Sequence, residues 1–378
     1  MDEETYVLLL STLKIILERR YILKSSKKIV ICVLLIVTSF ISLILINTNT
    51  NKTFKYKGST IALTVVGNNA TSFPTNGKYK VTVNCNNAKG RWNPKTWKLE
   101  ITKITGTVTC DVSFNSSVSN LTSLINNRTT KSENGYRYEG KDPNNYIWFN
   151  DELWRIIGNI PVCLTSGCSS TQNRAKIIRN DSIGAIKYGS NSIWIGSNIQ
   201  NLLNTCYLGK KSSCDSYCIT SSSTVKGTCD YSADGIDAND YYGKMVEDVY
   251  FNVGAGDETY KTAANYYTQE IATHATSASK IGLMYASDWG YANDEFNGEL
   301  GFTTMPFGSS KNNWLSSNNE WTMSGYSSSN PLIVSHLGSL FSNASSNGSS
   351  IRPVLYLKSN VYVTGGTGTK VDPYRIGM

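Results

Sequence analysis

The residues with the most chemistry in them are cysteines. Cys85, Cys110, Cys163, Cys168, Cys206, Cys214, Cys218 and Cys229 follow a long apolar segment, and a ninth, Cys32, lies inside it. An even set of thiols in a chain carried out of the cytosol reads as a disulfide framework, although eight cysteines allow about 105 pairings. Local spacing narrows the choice. Cys163 and Cys168, in PVCLTSGCSS, flank a Gly-containing tip and can bridge across it. Cys85 and Cys110 fall on the inward side of two alternating stretches, which suits a bridge between the sheets of a sandwich. Cys206, Cys214, Cys218 and Cys229 are left to pair among themselves in an order the spacing does not decide. A four-thiolate zinc site calls for close C-x-x-C knuckles, which these four lack, so neither a metal nor a cofactor is expected.

Carboxylates come next. Asp288, Asp294, Glu295 and Glu299 cluster among aromatic residues. Two carboxylates a few ångströms apart are what glycoside hydrolysis needs, with no fixed spacing in sequence; a solvated loop is the plainer reading. Asp234, Asp237, Asn239 and Asp240 offer hard oxygens suited to calcium, but not at EF-hand spacing, so a polar Asx-rich turn is expected. There are two histidines, His274 and His336, and no G-x-S-x-G, H-E-x-x-H or P-loop motif, so no catalytic residue is assigned. Trp289, Tyr291, Trp314 and Tyr326 stand among Asn, Ser and Gly. Flat aromatic rings with adaptable polar neighbours are typical of ligand-binding surfaces, and these four are the candidate ligand-binding residues. Trp321, within a strand pattern, is assigned to the core.

The elements that would carry these residues begin with Ile29 to Ile46, eighteen residues without a charge. That length crosses a bilayer as a helix with slight tilt or thinning. Lys24, Lys27 and Lys28 precede it and a neutral NTNTNK follows, which keeps the N-terminus in the cytoplasm and sends the rest out. A signal peptide is the competing reading, but no small-residue cleavage box follows Ile46. The expectation is therefore a single-pass plasma-membrane protein with an extracytoplasmic bulk. The chain has 378 residues, net charge +8 and only 17% charged residues, with 23 Tyr and 8 Trp to fill a core. No Lys/Arg stripe is present, which excludes nucleic acid as a partner.

Residues 1–28 are read as a cytoplasmic segment, 29–46 as the anchor and 53–114 as a small all-β, sandwich-like domain. In KYKVTVNC, WKLEIT and GTVTCDVSF, apolar residues alternate with polar ones, the mark of strands with one buried face. Residues 115–135, rich in Ser, Asn and Thr, form a linker with a short helix around Leu121–Ile125. Residues 136–378 form the main domain. YIWFNDELWRIIG predicts a hairpin turning at Asn150-Asp151, with a third strand at 175–181. Helices are expected around 199–208, 243–251 and 266–275. Strands return at 281–289, 320–326, 331–337 and 351–360. Strands, then helices, then strands indicate an α+β domain.

NYIWFNDELWRIIG, KIIRNDSIG, KIGLMYASDWGYA, NEWTMSGYSSS, SIRPVLYLKSNV and GTGTKVDPYRI, in that order, resemble a group of poorly characterised membrane-anchored surface proteins of low-GC gut bacteria. The C-terminal domain of that group looks like the C-type-lectin fold shared with formylglycine-generating-type enzymes. The resemblance implies that the first and last strands of the domain pair, with Tyr146–Gly158 beside Ile351–Asn360 and the loops of 287–350 presented at one surface. The enzymes carry a cysteine pair near the end of the fold. Residues 331–358 here have none, which removes oxidase activity. The leading expectation is a membrane-anchored binding or adhesion module that recognises a glycan or surface protein and is not an enzyme. An extracellular carbohydrate-active hydrolase using carboxylates around 288–299 is one alternative, and a structural spacer of the cell envelope is another.

Overall fold

The structure, a computed structural model, describes residues 63–65, 78–115, 118–129, 131–219, 229–255, 262–294, 312–326 and 330–378. The expected cytoplasmic segment and anchor lie outside these residues, as do Glu295 and Glu299. No helix among the described residues is long and apolar enough to cross a membrane. The architecture is mixed, with sheet predominating over helix.

The small N-terminal module contains β1 (Leu63–Val65), β2 (Lys80–Cys85), β3 (Lys89–Asn93), β4 (Lys98–Thr102) and β5 (Cys110–Asn115). β1, β5 and β2 make one sheet, and β3 with β4 makes a separate ladder. The alternation expected of β2 is present: Val81, Val83 and Cys85 are less exposed than the residues between them. Cys85 and Cys110 are bonded, but as direct register partners of neighbouring antiparallel strands with Cα atoms 4.1 Å apart. The bridge therefore staples one sheet and does not join two, because partners opposite each other already stand within disulfide reach.

The stretch read as a linker is partly built into the sheet. β6 (Ser119–Asn120) pairs with a later strand, and α1 (Leu121–Arg128) begins where Asn120 Oδ1 accepts a hydrogen bond from Thr122 N at 3.0 Å. Leu121 and Ile125, four apart on one helical face, are both buried. The chain then runs through β7 (Tyr136–Arg137), β8 (Tyr146–Phe149), β9 (Glu152–Cys163), β10 (Thr171–Arg179) and β11 (Ala185–Lys187). Asn150 and Asp151, with φ of 55° and 60°, make the two-residue turn between β8 and β9. Asn and Asp tolerate that left-handed pair, as a type I′ hairpin turn demands.

α2 (Asn198–Asn201) passes into a π-helical turn ending at Cys206, near the expected position. Around 243–251 only Gly243–Met245 is helical. The rest is extended and bridges other segments, so the helix expected there is absent. α3 (Ala263–Glu270) ends before His274. The strand expected over 281–289 is only β12 (Ile281–Gly282), after which the chain turns into α4 (Ala286–Tyr291). Then come β13 (Glu320–Gly325), β14 (Pro331–Val334), β15 (Leu340–Ser342), β16 (Gly348–Ser350), β17 (Val354–Leu357), β18 (Tyr362–Gly365) and β19 (Tyr374–Gly377).

The large sheet runs β12-β17-β10-β9-β8-β19-β18-β6, with β7 also on β9. A second sheet runs β11-β16-β13-β14-β15. β8, the second strand of the main domain, pairs with β19, the last, while β7, the first, pairs with β9. The 351–360 stretch lies elsewhere than expected: β17 pairs with β10, one strand removed from β9. β9 is buried over most of its length, because α1 packs on β9 and β10. α3 and α4 pack on each other, and α4 packs on β13 and β14. Residues 62–378 form one compact unit.

Candidate functional site

The carboxylate at 288 is held by the fold and not offered to a substrate. α4 starts after Tyr285, whose backbone N–H donates to Asp288 Oδ2 at 2.9 Å, so the Asp caps its own helix. Arg137, from β7, donates through Nη1 to Asp288 Oδ1 at 2.8 Å, and Lys176, from the middle of β10, donates to Oδ2. All three side chains are buried. Glu270, at the end of α3, completes the cluster. It accepts from Ser287 N at 3.2 Å, from Ser324 Oγ at 2.6 Å and from the Ser287 hydroxyl. The two cations also lie over rings, Lys176 Nζ at 4.1 Å from the centre of Tyr285 and the Arg137 guanidinium at 4.5 Å from that of Tyr291.

Burial alone would raise the pKa of Asp288; the Lys176 and Arg137 charges override it and hold the carboxyl below its usual range. Burial raises Glu270, which has hydroxyl partners in place of a cation. Burial lowers Lys176, with Asp288 pulling the other way. The cluster ties β7, β10, α3, α4 and β13 together. A general acid must reach its substrate within hydrogen-bond distance, and Asp288 cannot. Asp294 is exposed, apart from this network.

Three of the four candidate ligand-binding aromatics are not displayed. Trp289, Tyr291 and Trp314 are at most 5% exposed, and Tyr326 is half-buried against the core. Each buried ring has its polar atom satisfied inside the fold. Trp289 Nε1 donates to Ser316 Oγ at 2.8 Å, and Trp314 Nε1 donates to Tyr138 O at 2.8 Å. The Tyr291 hydroxyl accepts from Asn134 Nδ2 at 2.8 Å. The Asn beside Trp314 is internal too: Asn313 Nδ2 donates to Trp289 O at 2.7 Å. Trp289, Tyr291 and Trp314, expected on a binding surface over 287–330, are thus corrected to core; residues 295–311 and 327–329 of that stretch lie outside the described residues. Trp321, Nε1 bonded to Ile186 O, lies in the core as assigned.

The remaining candidates resolve simply. Cys163–Cys168, Cys206–Cys214 and Cys218–Cys229 are bonded pairs. In the 234–240 stretch, Asp237 accepts from Asn239 N at 2.9 Å and Asp240 from Gly243 N at 2.7 Å, which are Asx turns. His336 is exposed, its Nδ1 2.9 Å from Asn319 Oδ1.

Two concave regions are open to solvent near the domain's first and last strands. One, of about 280 Å³, lies between the end of α1, the start of β7 and β19, with Arg128, Tyr138 and Tyr374 among its walls. Burial pushes the Tyr138 hydroxyl well up, and that group makes no hydrogen bond of ordinary geometry although Tyr374 influences its ionisation. The other, of about 230 Å³, is a crevice between the small module and the β18–β19 hairpin. Tyr79, Trp92 and Trp97 line one side, with Arg91 at its edge, and Gly366 and Arg375 the other.

Trp92 and Trp97 meet edge to face at 5.3 Å between centres, and Trp92 meets Phe114 at 5.0 Å. Trp97 has φ of 54°, a left-handed conformation that a bulky residue adopts at a cost. Gly366, φ 86°, forms the facing wall, where a Cβ would strike Pro373 O at 2.1 Å. Sequence reasoning passed over this crevice because its two sides are more than 260 residues apart. The signal that was legible is the Trp92–Trp97 pair around one tight turn. No family model matches the chain, and no curated protein or solved structure matches it significantly.

Proposed function

We propose that this chain is a non-catalytic, membrane-anchored extracytoplasmic binding protein, its main domain C-type-lectin-like, whose ligand is a glycan held in the crevice between the small β-module and the β18–β19 hairpin. The observation that carries the reading is the composition of that crevice. Half-buried Tyr79 and Trp97 supply flat apolar faces against buried Trp92, and the guanidiniums of Arg91 and Arg375, ion-paired with Glu100 at 2.6 Å and Asp372 at 3.3 Å, keep further N–H donors beside them. Sugars stack their C–H faces on such rings and use hydroxyls or acidic groups on guanidinium donors. A left-handed Trp97, where a glycine would be less strained, supports a ring held for contact. The apolar Ile29–Ile46 segment with its basic flank and the four disulfides support the anchored, extracytoplasmic placement. No observation favours the hydrolase reading, since Asp288 is closed off in ion pairs.

The test is a glycan array probed with the full-length chain in detergent, followed by titration of any bound glycan. Trp97→Ala and Arg375→Gln are each expected to weaken it by about 1–3 kcal/mol, roughly 5- to 150-fold. Near-UV circular dichroism should be unchanged for Arg375→Gln. An array without hits, or titrations indifferent to both substitutions, refutes the reading, and selective capture of surface proteins would replace the glycan.

A further inference from the structure

Cys163, Cys168 and His274 bring two sulfurs and a ring nitrogen within 4.8 Å of one another. Their meeting follows from the backbone. Cys163 ends β9, and the extended segment after residue 248 runs past it, Tyr250 N donating to Cys163 O at 2.9 Å. The opposite edge of that segment pairs with the strand-like stretch after α3: Val253 N donates to Thr273 O and Ala275 N to Phe251 O, each at 2.8 Å. Asn252 and His274 face each other across this ladder. One extended segment thus clamps residue 163 on one side and residue 274 on the other. Cys168 returns over the hairpin tip, its Cα 5.2 Å from that of Cys163.

The tip is suited to opening. Cys168 is partly exposed, and Gly167 projects into open space. The Cys163–Cys168 bridge spans 5 residues, against 25, 8 and 11 for the others. Shorter loops restrict the unfolded chain least, so the fold loses least when this bridge opens. Tetrahedral zinc, with Zn–S about 2.3 Å and Zn–N about 2.0 Å, sets its ligand atoms about 3.5–3.8 Å apart. Opening the bridge frees the Cys168 side chain to seek that spacing, while the ladder holds the backbone at the other two residues.

The geometry points to a redox-gated metal site: with the Cys163–Cys168 bridge reduced, the two thiolates and the His274 imidazole bind one zinc ion, leaving a fourth position for water. The gate is a two-electron step. A dithiol reductant gives two electrons and two protons to the bridge, the S–S bond breaks into two thiols, and the reductant closes into its own disulfide. Zinc then displaces both thiol protons to solvent. His274 contributes a lone pair from one ring nitrogen, and the other nitrogen keeps its hydrogen. With the bridge closed neither sulfur is a thiolate, and the site does not bind.

The experiment uses the full-length chain, oxidised or treated with a dithiol reductant under native conditions and then freed of it. Zinc is counted by native mass spectrometry, and cobalt(II) serves as a spectroscopic probe through its thiolate charge-transfer band. The oxidised chain is expected to take up no zinc and the reduced chain one ion per molecule. Cys168→Ser should abolish uptake, and His274→Ala should weaken it by at least about 10-fold. The His274→Ala substitution leaves the main-chain ladder intact, so unchanged near-UV circular dichroism is expected and separates ligand loss from unfolding. Uptake equal in His274→Ala or retained in Cys168→Ser would assign the metal to other thiols and overturn the proposal. Absence of uptake by the reduced chain would overturn it outright.

Discussion

Asp288→Asn keeps the side chain's shape and removes its charge, leaving Lys176 and Arg137 as two cations in the interior. Lys176 is fully buried, and among the described residues no other carboxylate lies within ion-pair distance of its ammonium. Arg137 keeps its bond to Asn134 O at 3.2 Å but loses its charged partner. Removing one member of a buried pair strands the other charge and costs about 3–5 kcal/mol. For a unit of this size that is a fall of roughly 5–8 °C in Tm, at about 1.5 °C per kcal/mol. Urea titration beside differential scanning fluorimetry measures it.

Adding Lys176→Met to Asp288→Asn removes one stranded charge, so the double variant should be more stable than Asp288→Asn alone. The pH dependence has a definite sign. Asp288 has a depressed folded-state pKa, so its contribution is present above the unfolded value of about 4 and is lost as pH falls through the folded value. Asp288→Asn should therefore lose part of the acid sensitivity of the parent. Glu270, whose pKa is raised, acts in the opposite sense, its contribution lost as pH rises. An Asp288→Asn variant within about 1 kcal/mol of the parent, the range of an exposed pair, refutes the buried cluster. Loss of a hydrolytic activity at unchanged stability would return Asp288 to a catalytic role.

Trp314→Ala and Trp289→Ala should each destabilise the domain by about 3–5 kcal/mol, matching Trp154→Ala from the opening hairpin, when followed by urea unfolding. Wild-type stability in either ring-deleted variant would put those indoles back at the surface. Peptide mapping without reduction should join Cys85 to Cys110, Cys163 to Cys168, Cys206 to Cys214 and Cys218 to Cys229. The Cys85→Ser/Cys110→Ser pair should lose about 3.5 kcal/mol by the loop-closure argument, and cross-linked peptides joining other partners would refute the register of β2 and β5.

Much of the strand plan was legible because alternation survives one-sided burial. β2, β5 and the β8–β9 hairpin all announce themselves by period two or by a left-handed Asn-Asp turn. The disulfides were legible in part: spacing suggested the bridge across the 163–168 tip, and alternation placed Cys85 and Cys110 on the same side of their strands. Alternation could not say whether those strands were neighbours or lay in facing sheets. The stretch 281–289 failed for a different reason. IGLMYA, its first six residues, carries no charge and no periodicity, and such an apolar run reads equally as buried strand or buried helix. Asp288 decided it by reaching back to Tyr285 N and nucleating a helix. The expected helix over 243–251 was overridden by backbone pairing of Tyr250 with Cys163 upstream and of Val249 and Val246 with Ser279 and Leu357 downstream, which no local pattern encodes.

The misplacement of Trp289, Tyr291 and Trp314 has a cause in composition. Only 17% of the chain is charged, and Asn, Ser and Thr take the polar positions. In an ordinary sequence a Trp flanked by Asn and Ser reads as a loop, because those residues are mostly exposed. Here many of them face inward and satisfy buried groups. Asn145 bonds both Ile156 O and the Arg155 guanidinium at 2.8 Å, and Asn204 serves Ile281 through both its amide nitrogen and its oxygen. Thr322 and Ser324 lie fully buried within β13. An irregular, helix-poor core leaves many backbone groups without ladder partners, and short amides and hydroxyls are the side chains that reach them. A polar neighbour therefore carries little information about exposure in this chain. Position beside a gap between distant segments carries more, and by that measure Trp97 is the better candidate than Trp314.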